Sequence, residues 1–124
     1  MMLVNIDLFG NNDLSSLNIE VLGAGGDPRL RICTNESNNI VKLGKIVCER
    51  FELANNSSKG ISPVGVSFKT GSSIEVLDLS RCSNLETISG SNLDVQQINL
   101  NTKIIRHNLI KTGLADKGTV IRLQ

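Results

Sequence analysis

Ile74-Glu75-Val76-Leu77-Asp78-Leu79-Ser80-Arg81-Cys82-Ser83-Asn84-Leu85-Glu86-Thr87-Ile88 is the stretch on which the reading of this chain turns. It fits L-x-x-L-x-L-x-x-C-x-x-L with Ile in the first place. A second copy begins at Val95-Gln96-Gln97-Ile98-Asn99-Leu100-Asn101. Val95, Ile98 and Leu100 follow Ile74, Leu77 and Leu79 at one constant step. Self-similarity at a fixed period of about 20–50 residues signals stacked units, each too small to bury its apolar face alone. The second copy then decays, with Lys103 where Cys82 predicts Cys or Asn and Arg106 where Leu85 predicts Leu. The same step taken backward from Leu77 and Leu79 lands on Asn56 and Ser58, which breaks the pattern. The array therefore reads as one full copy and one partial copy.

On these residues, positions 74–101 resemble a short bacterial-type leucine-rich repeat. The resemblance implies that each Leu-x-Leu pair lies on a parallel strand with its apolar side chains in the core. It also implies that Cys82 sits at the buried turn that follows. The positions between would line a concave face, here Val76, Asp78 and Ser80 on one rung and Gln97, Asn99 and Asn101 on the next. These six are the candidate binding face; an ordinary solvated sheet face is the plainer alternative. Roughly three repeats are needed to stand alone, so the remainder must come from the upstream region or from another subunit.

Outward from the repeat, alternation of apolar and polar residues dominates. Leu3–Leu8, Leu17–Val21, Leu30–Cys33, Ile46–Leu53 and Val64–Phe68 are short, β-branched runs bounded by Gly, Asn, Asp or Ser, the signature of strands. A hairpin or wide turn is expected at Gly23–Pro28. Ile104–Leu114 is the best helical candidate and reads equally as a strand. Ala115–Gly118 reads as a turn into a closing strand, Thr119–Leu123. The expected fold is mainly β, with a β-sandwich or barrel-like N-terminal part and a short leucine-rich-repeat, solenoid-like C-terminal part. The whole of 1–124 is read as a single domain, with possible sub-parts 1–60 and 61–124 and an internal seam at Ala54–Pro63.

Composition works by exclusion. Thirteen Lys and Arg against twelve Asp and Glu leave a net charge of +1, without the basic footprint of a nucleic-acid binder. Three Phe and no Tyr or Trp remove the stacking platforms of single-strand binders and weaken a glycan reading. Cys33, Cys48 and Cys82 have neither CxxC spacing nor an even count, which argues against a disulfide framework or a structural zinc site and for buried thiols. No signal-peptide pattern or membrane-span-length apolar run is visible. A soluble protein is expected, and a viral particle is one setting.

Motifs that carry chemistry fail on inspection. Gly23-Ala24-Gly25-Gly26-Asp27-Pro28 places Pro28 where a dinucleotide loop needs its third glycine, and no helix follows. Gly60–Gly65 has the glycine spacing of a phosphate loop, but Val66 and Ser67 follow and the Lys is missing. His107 is the single histidine and lies in a polar stretch with no nucleophile elbow. Glu75 and Asp78 fall on opposite sides of a regular strand. The expectation is a non-enzymatic structural or interaction protein without cofactor. It is a subunit of a larger assembly held by β-edge and apolar contacts, with a protein partner or further copies of itself and neither nucleic acid nor membrane. A viral decoration or fibre component is one alternative. An adhesion or recognition module that binds protein or glycan through the polar repeat face is the other.

Overall fold

A computed structural model describes residues 3–8, 13–21, 29–34, 40–55, 63–90, 92–101 and 119–123. These residues form eleven strands in two sheets. The larger sheet runs β1 (Leu3–Leu8), β4 (Arg29–Thr34), β6 (Ile46–Asn55), β8 (Ser73–Leu79), β10 (Asp94–Leu100) and β11 (Val120–Leu123), and β3 (Ile19–Val21) also pairs with β6. The smaller sheet runs β2 (Asp13–Leu14), β5 (Ile40–Leu43), β7 (Gly65–Ser67) and β9 (Thr87–Ser89). The protein is mainly β, and every described pairing is parallel.

Parallel neighbours need a long crossover between them. From β4 to β10 the crossovers are the small-sheet strands: the chain leaves the large sheet, adds one strand to the small sheet, and returns one place further along. The length of chain spent on each such circuit is uneven. Leu30 pairs with Phe51 and Leu77 with Ile98 at the same short step, whereas Val4 with Leu30 and Phe51 with Leu77 stand further apart in the chain. The small sheet is uneven too, with Leu14 on Leu43, Val41 on Val66 and Val66 on Ile88. Equivalent positions nevertheless stack into columns. One apolar column holds Val4, Leu30, Phe51, Leu77, Ile98 and Ile121, and a second holds Ile6, Ile32, Leu53, Leu79, Leu100 and Leu123.

From Leu30 and Ile32 through Ile98 and Leu100 these columns are buried, and they join Val41, Leu43, Val66 and Ile88 of the small sheet in one core. Each such side chain contributes about 1.5–3 kcal/mol by leaving water. Phe51 meets Phe68 edge-on, with ring centroids 5.8 Å apart, the geometry favoured by the ring quadrupoles.

Strict alternation fails once per rung, at the same place. Cys48 and Phe51, Ile74 and Leu77, and Val95 and Ile98 are all buried, and the two residues between each pair are not. The ladder breaks there too: Cys48 pairs with Ile74, and pairing resumes at Arg50 with Val76. Likewise Val95 pairs with Ile74 and pairing resumes at Gln97 with Val76. Glu49, Glu75 and Gln96 therefore mark a stacked interruption that re-aims the strand, as a bulge does. In the neighbouring rung the strand is cut outright. Val21 pairs with Cys48 and Arg29 with Arg50, so β3 ends and β4 begins at the same level of β6.

The corners between small and large sheet are also stacked. The Ile19 amide donates to the Lys45 carbonyl at 2.9 Å, and the Lys45 amide donates to the Asn18 side chain at 3.1 Å. Ser72 is the hub of the next corner. Its hydroxyl takes the Ile46 amide at 3.0 Å and donates to the Lys69 carbonyl at 2.8 Å, and its carbonyl takes the Asp94 amide at 3.0 Å. Gly44 is required where two corners touch, because a Cβ there would overlap the Leu17 carbonyl.

Gly23–Pro28, where a hairpin or wide turn is expected, lies outside the described residues. β3 and β4 both lie beside β6, so the strands flanking Gly23–Pro28 form no hairpin with one another. Alternation reports which face is buried and says nothing about strand direction, so a hairpin and a crossover leave the same local pattern. Strands from both 1–60 and 61–124 also enter both sheets and one core. The closing strand is present as β11. The helix-or-strand candidate at 104–114, the turn at 115–118, His107 and residues 56–62 of the seam lie outside the described residues.

Candidate interaction face

The outward side of the large sheet carries two further columns, one mixed and one polar, each one residue away from an apolar one. The first runs Arg29, Arg50, Val76, Gln97 and Val120. The second runs Arg31, Glu52, Asp78, Asn99 and Arg122. Parallel pairing brings Val76 beside Gln97 and Asp78 beside Asn99. Ser80 and Asn101 follow at the strand ends, where the Asn101 side-chain amide donates to the Ser80 carbonyl at 3.1 Å. All six candidate residues therefore share one face.

That face is bonded to itself. Asp78 accepts from the Arg50 guanidinium at 3.0 Å through one oxygen. Its other oxygen takes the Ser80 hydroxyl at 2.6 Å and the Ser80 amide at 3.1 Å, a local turn that closes β8. Gln97 donates to Asn99 at 2.9 Å, and Asn99 is buried although it belongs to an outward column. Val76, Asp78, Ser80, Gln97 and Asn101 are half-buried.

One rung earlier lies a cluster that the sequence reading does not reach. Glu52 is the hub, with a side chain only 10 % exposed. Arg31 reaches it at 3.0 Å, Arg50 at 3.3 Å and Arg29 at 3.6 Å. Arg50 thus bridges Glu52 and Asp78 across two rungs. A carboxylate this far out of water is tolerated because guanidiniums surround it. The signal exists in sequence as Arg-x-Arg at 29–31 and Arg-x-Glu at 50–52. It becomes visible only once Arg31 is set beside Glu52 and Glu52 beside Asp78, which takes a short step and then a longer one.

Among the described side chains two thiols, Cys48 and Cys82, are buried, and Cys33 lies outside them. Cys82 is fully buried in the turn after β8, where its amide donates to the Leu79 carbonyl at 3.0 Å and its thiol donates to the Leu53 carbonyl at 3.3 Å. Burial, with the Asp78 charge adding to it, pushes this thiol up to about 12. Burial alone pushes Cys48 up to about 12. Thiols held in this way are poor nucleophiles. Among the described residues there is no group of three or more His, Cys, Asp or Glu able to hold a metal ion. An open cleft beside Asn18, Glu20, Lys45 and Val47 has a volume of about 260 Å³. No helix among the described residues is long and apolar enough to cross a membrane. Comparison with protein-family models, curated proteins and solved structures found no match.

Proposed function

We propose that this chain is a non-enzymatic structural or interaction protein that works inside a larger assembly, and that its parallel rungs form a short solenoid akin to a leucine-rich repeat. The observation that carries the assembly reading is Ile121. It occupies the core column of Phe51, Leu77 and Ile98, each of which is 0 % exposed, yet it is itself 43 % exposed. A core-column position exposed on the end strand of the sheet among the described residues is a surface that a partner would cover, since exposed apolar strand edges are a liability that proteins normally blunt. The solenoid reading draws support from the apolar-x-apolar pair, which recurs in register on six strands of the large sheet.

Recognition through the polar face is less favoured, because Asp78, Gln97 and Asn99 already serve as partners for neighbouring side chains. Light scattering coupled to size exclusion, with identification of any co-purifying chain, tests the assembly reading. The expected result is a species larger than one chain. A folded monomer at high concentration, with no partner recovered from its source, overturns it.

A further inference from the structure

We infer that the occupant of the open end is a second copy of this chain, stacked head to tail so that its β1 continues the large sheet beyond β11. The inference rests on the assembly reading and specifies its partner. Among the described residues, β1 and β11 are the two end strands of the large sheet, and both run parallel to every strand between them. A translated copy therefore extends the same parallel ladder without reversing direction.

The register also continues. Within the chain, β1 places Val4 and Ile6 in line with Leu30 and Ile32, and β11 places Ile121 and Leu123 in line with Ile98 and Leu100. Keeping these columns puts the second copy's Val4 on Ile121 and its Ile6 on Leu123. The outward columns then bring Leu3 to Val120, itself 52 % exposed, and Asn5 to Arg122. A charge match comes with this register. Arg50 pairs across the ladder with Val76 and reaches Asp78, two residues further along, at 3.0 Å. With Arg122 opposite Asn5, the residue two further along is Asp7. The molecule thus already uses internally the diagonal that the stacked copy would use.

The one charge on each edge strand, Asp7 on β1 and Arg122 on β11, is opposite in sign to the other. Leu3-Val4-Asn5-Ile6-Asp7-Leu8 and Val120-Ile121-Arg122-Leu123 contain no Pro and no Lys, residues that block edge pairing elsewhere. A head-to-tail contact uses two different surfaces, so it closes into a ring or grows into a filament and does not stop at a dimer.

Sedimentation velocity over a concentration series, with circular dichroism to verify folding, is the test. The full chain should show mass increasing with concentration beyond two copies. Ile121→Lys and Arg122→Asp should each raise the dissociation constant roughly tenfold or more. Asp7→Arg combined with Arg122→Asp should restore association that either change alone removes. Mixing the Ile121→Lys chain with a Leu3→Lys chain should give a dimer and nothing larger, since each retains one intact end. Association insensitive to all four changes overturns head-to-tail stacking and leaves the assembly reading standing. A monomer that binds a different protein through β11 does the same. A folded monomer without any partner overturns both.

Discussion

The inward and outward columns of the large sheet lie one residue apart on the same strands, and they obey different rules. Inward, the rung-to-rung sequence Leu30, Phe51, Leu77, Ile98 changes shape freely and stays apolar and fully buried. Outward, the parallel sequence Arg31, Glu52, Asp78, Asn99 moves from charge to amide; Arg31 reaches Glu52 and Arg50 reaches Asp78 across a rung, whereas Asn99 is held by Gln97 on its own strand. Apolar burial is non-directional and needs only volume. Ion pairs and hydrogen bonds need a particular partner at a particular distance. The inner columns therefore supply most of the stability, and the outer columns fix which rung sits on which.

The largest expected effect follows from emptying an inner column. Phe51→Ala removes a fully buried ring from the middle rung and its edge-on contact with Phe68. It should cost about 3–5 kcal/mol, read by denaturant unfolding at constant m-value. A loss below about 1 kcal/mol would mean that the inner column is not the principal source of stability.

Alkaline pH attacks the same interior more gradually. Cys48 and Cys82 have their thiol values raised from 9.0 to about 12 in the fold. The unfolded chain therefore releases these protons first. The stabilisation is fully present below pH 9 and is lost as pH rises toward 12, with a slope of up to about 1.4 kcal/mol per pH unit for each thiol. Stability measured from about pH 8 to 11 should fall, and Cys48→Ala with Cys82→Ala should flatten the decline even though the variant starts less stable. A decline of unchanged slope in that variant would assign alkaline sensitivity to other groups.

Next in size is a corner. Gly44→Ala forces a Cβ against the Leu17 carbonyl and should destabilise by about 1–3 kcal/mol. Gly71 provides the internal control. Its φ of 89° also strains a side chain, but a Cβ there meets only the flexible Lys45 chain, at 3.5 Å, so Gly71→Asn should cost much less. Equal losses at the two sites would show that the close approach of the Leu17 carbonyl to Gly44 costs no more than the positive φ at Gly71.

The contrast between columns also explains what the sequence discloses. Leu77-x-Leu79 and Ile98-x-Leu100 are legible as a pair because nothing but their common step separates them and both are led by an apolar residue, Ile74 and Val95. Phe51-x-Leu53 carries the same pair, with Cys48 in the leading apolar place, but it stands further from Leu77-x-Leu79 than that pair stands from Ile98-x-Leu100. The constant step taken backward from Leu77 therefore stops short of Phe51, just past the end of β6, and lands in the polar segment at Asn56. Rung length varies because corners and loops absorb insertions at little cost; apolar positions keep their meaning while their spacing drifts. The outer columns are harder to read for the same reason. Asp78 and Asn99 stand out as neighbours, and Arg50 and Glu52 do not, because the pairing of Arg50 with Asp78 exists only after the longer step from Phe51 to Leu77 is known.

The smallest expected effect tests whether the outer columns act through that pairing at all. Arg50 and Asp78 are 28 % and 16 % exposed and meet at 3.0 Å. At that exposure water screens the attraction, so the coupling should be only about 0.5–1 kcal/mol. Single substitutions overstate it, since Asp78→Ala also releases Ser80, and Arg50→Ala also leaves Glu52 with fewer partners. A double-mutant cycle with Arg50→Met and Asp78→Asn removes those side effects to first order. The coupling should shrink between low and high salt, as screening shortens the reach of partly exposed charges. A zero coupling at low salt would reduce the outer columns to solvated surface. A coupling that persists at high salt would show a more enclosed pair, and would raise the share of rung specificity that charge supplies in place of packing.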